Sequence, residues 1–155
     1  MQKKRIVVAG AFDIIHCGHI RFLRAIKEKF PNSELIVIIA RDSTIRKLKK
    51  REPIFNEKER LEIVSAIKYV DRAVLGYEID NKSLFEILLT LKPNIVILGY
   101  DQQIDEKKLK EWCKKHGLLI EVLRFPKFNS ALSSSSEVRR KIIALFKENK
   151  AGGGI

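Results

Sequence analysis

Two of the chain's three histidines, His16 and His19, fall within one stretch, Gly10-Ala11-Phe12-Asp13-Ile14-Ile15-His16-Cys17-Gly18-His19. A β-branched apolar run precedes it and apolar residues at helical spacing follow, so both imidazoles stand at a helix start. Unpaired N–H groups and the positive end of the helix dipole make such a place suited to phosphate. Imidazoles there can donate to phosphate oxygens and stabilise charge that grows in a transition state; metal ligation is the other chemistry open to them. Gly10 permits a tight turn after the strand, and Gly18 lets a ligand approach the helix start closely. Near the other end, Ser133-Ser134-Ser135-Ser136-Glu137-Val138-Arg139 sets hydroxyls and N–H groups at a second helix start. That is an anion cradle, to which Arg139 adds a fork of donors one turn on, or else a capping box in a solvated loop. Gly99-Tyr100-Asp101-Gln102 follows another apolar run. Asp101 is placed to accept from a ribose hydroxyl or to bind a metal, and Tyr100 to line a base or acceptor pocket; an ordinary turn is the plainer alternative. The basic run Arg46, Lys47, Lys49, Lys50 and Arg51 offers charge against phosphates, or a solvated face.

The elements that must hold these residues alternate along the chain. Residues 5–9, 35–40, 71–75, 94–98 and 118–123 read as short buried strands. Between them lie helical patterns. One carries Ile20, Leu23, Ile26 and Phe30 and stops at Pro31-Asn32. A short basic helix runs from Asp42 to Lys49, before Pro53. Asn56 caps the next, with Glu59 three residues on, and that helix ends near Tyr69. Leu84, Ile87, Leu88 and Leu91 mark a fourth; Leu109, Trp112 and Cys113 mark a fifth, closed by Gly117. The last begins in the serine run and aligns Val138, Ile142, Leu145 and Phe146 on one face. Strands alternating with helices imply βαβ units. The expectation is a single Rossmann-like, doubly wound α/β domain with a five-stranded parallel sheet over residues 1–150, followed by a flexible Gly-rich tail at 151–155. Ligands in such sheets bind beyond the carboxyl ends of the strands, which are the loops that carry the polar residues above.

Composition narrows the classes. The chain has 155 residues, 45% hydrophobic, enough for one domain with its own core and too apolar for a disordered chain. No apolar run approaches the roughly 20 residues of a membrane span, and no signal peptide precedes the first strand. Neither Cys17 nor Cys113 belongs to a Cys-x-x-Cys pair, which reads as free thiols in a cytoplasmic protein. Cys17, at the positive end of a helix beside a phosphate site, is expected to be the more reactive thiol, or else a small residue packed tightly against the first strand. The net charge is +12. It fits a polyanionic small molecule or nucleic acid, or the charge-rich surface of a thermophile protein. Nucleic acid is disfavoured, because the basic run has no interleaved aromatic platform. His116, before Gly117, meets a helix dipole and nothing more.

His16-Cys17-Gly18-His19 after a Gly-x-Phe-Asp turn resembles the His-x-Gly-His signature of the nucleotidyltransferase superfamily, and the serine run with Arg139 resembles its second signature, Ile-Ser-Ser-Thr-x-Ile-Arg. Ser133 and Ser136 depart from that pattern, the latter keeping a hydroxyl. The two motifs lie at opposite ends, so the likeness covers nearly the whole chain. Gly99-Tyr100-Asp101-Gln102 is similar to the archaeal FAD synthases, as are Ala40-Arg41-Asp42, Lys47, Lys49, Pro53 and Glu59-Arg60; glycerol-3-phosphate cytidylyltransferases tend to carry an acidic residue where Tyr100 stands. The resemblance implies transfer of AMP from ATP to FMN with release of pyrophosphate; the alternative is a cytidylyltransferase acting on glycerol 3-phosphate or a similar phosphorylated molecule. It further implies a divalent metal, Mg²⁺, and a homodimer, with no membrane partner. It assigns catalysis to His16, His19 and Lys47. Nucleotide binding falls to those two histidines with Gly10, Ala11, Phe12 and Gly18 in the first motif, to Gly99 and Asp101, and to Ser134, Ser135, Ser136 and Arg139 in the last. The acceptor side falls to Asp13, Lys49, Arg60, Tyr100 and Lys127.

Overall fold

The computed structural model describes residues 2–80 and 83–152. Among them, five strands form one all-parallel sheet: β1 (Arg5–Gly10), β2 (Glu34–Ile39), β3 (Arg72–Leu75), β4 (Ile95–Leu98) and β5 (Glu121–Arg124), in the order β3-β2-β1-β4-β5. The helices are α1 (Cys17–Lys29), α2 (Asp42–Lys49), α3 (Glu57–Ser65), α4 (Ile87–Leu91), α5 (Glu106–Lys115) and α6 (Ser135–Gly152). This is the doubly wound architecture expected from the alternating pattern.

Period-two alternation sorts each strand between two cores. Ile6, Val8, Leu35, Val37, Ile39, Ile95 and Ile97 face one way, against Leu23 and Ile26 of α1 and Val64 of α3. Val7, Ile36, Ile38, Val96 and Leu98 face the other, against Leu88 and Leu91 of α4 and Leu109 and Cys113 of α5. Burial on both faces is why these strands read as unbroken β-branched runs. The chain winds outward from β1 to β3, then returns to lay β4 on the other side of β1. The crevice beyond the carboxyl ends of β1 and β4 is therefore the switch point, where such folds take ligands.

Boundaries shift where local signals compete. Helix α3 stops at Ser65, short of Tyr69, yet Ile67, Tyr69 and Val70 still reach the core from the turns that follow. Leu84 lies outside α4 and is exposed. Strand β5 begins at Glu121, and Leu118 and Ile120 pack from the preceding loop. Helix α6 continues through Gly152, beyond the expected start of the tail; residues 153–155 lie outside the described residues. No residue of α6 is buried, so Ile142, Leu145 and Phe146 share a face that stands in solvent. None of the described helices is long and apolar enough to cross a membrane.

Candidate active site

Helix α1 starts one residue after His16, not at Gly18. His16 is the N-cap: its Nδ1 accepts from the Gly18 N–H at 3.0 Å, and the Nδ1 of His19 accepts from the His16 N–H at 3.3 Å. The pair is a capping box built from imidazoles, with His16 where Ser or Thr usually stands and His19 where Glu does. Because both Nδ1 atoms accept, the hydrogen-bond pattern assigns the proton of each neutral ring to Nε2. Burial, His16 and Lys49 together hold His19 down at about 3. Burial also lowers His16, with Glu137 pulling the other way. Both rings are therefore neutral near pH 7, 3.9 Å apart, and each presents an Nε2–H donor.

Gly18 is required by close approach. A Cβ there would lie 2.8 Å from the His16 ring and 3.3 Å from the Ser133 carbonyl. At Gly10 a Cβ would meet the Phe12 ring at 3.0 Å. The residue in the left-handed region is Phe12, with φ 49°, rather than Gly10. Its ring centroid lies 5.3 Å from that of His19.

The serine run meets this turn from the far end of the chain. Ser135 Oγ donates to the Ile14 carbonyl at 3.1 Å. The Glu137 carboxylate accepts from the Ser133 N–H at 2.6 Å and the Ser134 N–H at 3.1 Å, so the first part of the expected anion cradle is already filled. Ser136 and Arg139 remain at the cavity, with Arg139 Nη2 donating to Ser136 Oγ at 3.3 Å. Arg139 Nη1 is buried without a hydrogen-bond partner among the described residues.

Beyond β4, Gln102 ties the Gly99 turn down. Its Oε1 accepts from the Gly99 N–H and its Nε2 donates to the Ala9 carbonyl, each at 2.8 Å. Tyr100 and Asp101 line the cavity from this loop. Lys127 does not line it; its ammonium sits 5.6 Å over the Tyr100 ring, at the rim.

Three expected site residues are engaged by partners within the protein, and of these Asp13 lines the cavity while Arg60 and Lys47 do not. Arg60 is wholly buried and donates to the carbonyls of Phe55 (2.9 Å) and Ala11 (2.6 Å) and to Asp42 Oδ1 (2.7 Å), so its guanidinium is engaged within the protein and does not line the cavity. Asp13 is 1% exposed, its carboxylate accepting from Arg51 Nη1 and from the Ile54 and Phe55 N–H groups. Burial opposes ionisation of Asp13, but those hydrogen bonds and the Arg51 charge win, and the carboxyl lies below its ordinary range. Asp13 and Arg60 therefore clasp the loop at 51–55 to the first motif. Lys47 pairs with Asp80 at 3.3 Å on the exposed face of α2 and does not line the cavity. Lys49 lines it instead. Lys50 takes the left-handed conformation, φ 53°, which ends α2 and returns the chain so that Arg51 also faces the cavity. Arg51 was legible only as one member of a basic run; nothing in its spacing singled it out.

Lys49, Arg51 and Arg139 thus concentrate positive charge in one cavity of about 300 Å³. Partial burial and the neighbouring Arg51 lower Lys49 and Arg139 from their ordinary values. A polyanion entering there relieves that mutual repulsion. Among the described residues no cluster of three or more His, Cys, Asp or Glu could hold a metal. Cys17 is exposed and does not line the cavity, whereas Cys113 is buried with its thiol pushed up by burial.

The chain is similar to known proteins over most of its length. The cytidylyltransferase-like family model matches residues 7–141, from β1 to the first turns of α6. An FAD synthase of Korarchaeum cryptofilum is 46% identical over 144 residues, covering 92% of this chain and 94% of the relative. One from Methanopyrus kandleri is 44% identical over 150 residues, covering 95% and 97%. The crystal structure of a Thermoplasma volcanium protein, described as a lipopolysaccharide core biosynthesis protein, superposes with a TM-score of 0.75 at 40% identity. It covers 83% of this chain and 100% of that one.

Proposed function

This chain belongs to the cytidylyltransferase-like family and, within it, stands with the FAD synthases, and from that membership we propose its reaction. It moves AMP from ATP to FMN, giving FAD and pyrophosphate. A phosphate oxygen of FMN attacks the α-phosphorus of ATP; the new P–O bond forms as the bond to the β-phosphate bridge breaks, and pyrophosphate leaves with that electron pair. Residues 1–150 act as one transferring unit.

The observation that carries this reading is the pairing of donors across the cavity. Two neutral imidazoles with Nε2–H groups stand at the start of α1, and a buried Arg139 Nη1 with no hydrogen-bond partner among the described residues stands in the first turns of α6. In this reading His16 and His19 stabilise the charge that grows on the α-phosphate, fixed before the reaction begins. Arg139, with the Ser135 and Ser136 N–H groups, holds the outgoing phosphates. Lys49 and Arg51 take the roles expected of Lys47 and Arg60, neutralising phosphate charge from the β1 side. Asp101 accepts from the ribose, and Tyr100, with Lys127 over its ring, forms the acceptor rim.

The residues present fit a divalent ion carried in on the triphosphate: Asp13 and Asp101 both line the cavity, and with Asp13 committed to Arg51, Asp101 is the carboxylate left to the ion among the described residues. Mg²⁺ is commonly bound by one or two carboxylates together with substrate phosphates. When bound, it would neutralise charge on the phosphates. The exposed apolar face of α6 supports a homodimer, and the free thiols support a cytoplasmic setting. The test is pyrophosphate release with ATP or CTP crossed against FMN, glycerol 3-phosphate and phosphopantetheine. Release only with ATP and FMN, with FAD formed, is expected. Turnover only with CTP and glycerol 3-phosphate would transfer the chain to the cytidylyltransferase branch.

A further inference from the structure

The loop joining β4 to α5 carries Tyr100 and Asp101, and a guanidinium that belongs to none of the motifs holds it. Arg124 is the last residue of β5. Its Nη1 donates to the carbonyls of Gly99 at 2.8 Å and Gln102 at 2.9 Å, and its Nη2 to that of Ile104 at 3.0 Å. Its Nε meets Glu106 Oε1, at the first residue of α5, at 3.0 Å. A guanidinium presents its donors in a rigid planar fork, so one side chain fixes the loop's two ends and its middle relative to β5. Gln102 closes the opposite side against β1 through Ala9. Among the described residues Asp101 has no comparable tie of its own; where its carboxylate stands follows from the backbone that Arg124 and Gln102 pin. The Arg124 side chain is 31% exposed and on an edge strand, so neither core is built on it.

We propose that Arg124 is a positioning residue for nucleotide binding: by bridging the carbonyls of Gly99, Gln102 and Ile104 it sets Asp101 to meet the ribose of the incoming nucleotide. This rests on the nucleotide-transfer reading of the site. It differs from a merely structural role because its effect must pass through Asp101.

The experiment measures the Kd of Mg·ATP and amide exchange of the 99–104 segment in the full chain. It compares the unaltered protein with Arg124→Met, Arg124→Lys, Asp101→Asn and the double variant Arg124→Met/Asp101→Asn. Arg124→Met is expected to weaken ATP binding about tenfold, the scale of one hydrogen bond to a charged group, and to speed exchange in 99–104 while β4 is unchanged. Arg124→Lys, which keeps the charge opposite Glu106 but loses the fork, falls between. The double variant binds no more weakly than the weaker single one. Unaltered binding and exchange in Arg124→Met, or losses that add in the double variant, overturn the proposal. If Arg124→Met does not fold, Arg124→Lys decides by the same two readouts, and parity with the parent overturns it. If the unaltered protein binds Mg·ATP but makes no FAD, the acceptor reading falls while the comparison still decides Arg124. If it binds no nucleotide at all, both fall.

Discussion

Acid should destabilise this protein more than a variant in which His19 cannot titrate. The folded chain holds His19 at about 3, mainly by burial, against an ordinary 6.5. Below pH ~6.5 the unfolded chain takes up a proton that the folded chain refuses, so the unfolded state gains. A depressed imidazole therefore leaves stability complete above its unfolded value and erodes it as pH falls toward the folded one. The slope for one proton is about 1.4 kcal/mol per pH unit at most. Between pH ~8 and pH ~5 the two values give about 2 kcal/mol, and water near a ring that is not fully enclosed reduces this to about 1 kcal/mol. His16 is lowered too and adds a loss of the same sign. The depressed carboxylates of Asp13 and Asp71 act only as pH falls through their folded values, below the ordinary 3.8, so the window above pH ~5 is not theirs. The assay is urea unfolding of the parent and His19→Asn at several pH values and constant ionic strength. The parent should lose about 1 kcal/mol more than the variant between pH ~8 and pH ~5. Parallel curves would refute the assignment of a neutral, proton-refusing His19.

Removing a transition-state donor should act on turnover more than on binding. His16→Ala is expected to cut kcat by about 10²-fold or more, with a much smaller change in ATP affinity, as steady-state kinetics with separate binding measurements will show. Lys49→Ala should raise the KM for ATP or FMN, whereas Lys47→Ala, which loses only an exposed pair with Asp80, should leave both unchanged. Equal effects would restore Lys47 to the site. Arg60→Met should cost about 3 kcal/mol in denaturant unfolding, because it leaves Asp42 and the Phe55 and Ala11 carbonyls without their buried donor; a loss below about 1 kcal/mol would show that water replaces the guanidinium.

The fold was legible because both faces of the sheet are buried. Runs such as Leu35-Ile36-Val37-Ile38-Ile39 have no amphipathic alternative, and alternation with helices then dictates parallel pairing. The two signature motifs were legible because phosphate chemistry draws on a few residue types at helix starts. What a local pattern does not carry is which of two similar side chains points inward. Lys47 and Lys49 are equivalent on paper; the left-handed turn at Lys50 and the return of Arg51 separate them. Arg60 and Asp13 looked available because charged residues are rarely buried without partners, and their partners, Asp42 and Arg51, are distant in sequence. Arg124 was not singled out, since three of its four partners are backbone carbonyls that any sequence would offer.

The contact between Ser133 and Gly18 has a bearing on how the protein is made. The chain is synthesised from β1 onward, and every strand that β1 and β2 require has been produced before α6 exists. The sheet can thus be complete before Arg139 and the serine run are in place, and they join the site when Ser135 reaches Ile14. Helix α6 buries none of its own residues, so little apolar area drives that docking. A nucleotide that binds only the docked form favours it by mass action, by about 2.7 kcal/mol at a hundred times its Kd. On the nucleotide-transfer reading, ATP bound across the two motifs would then also hold α6 against the first turn.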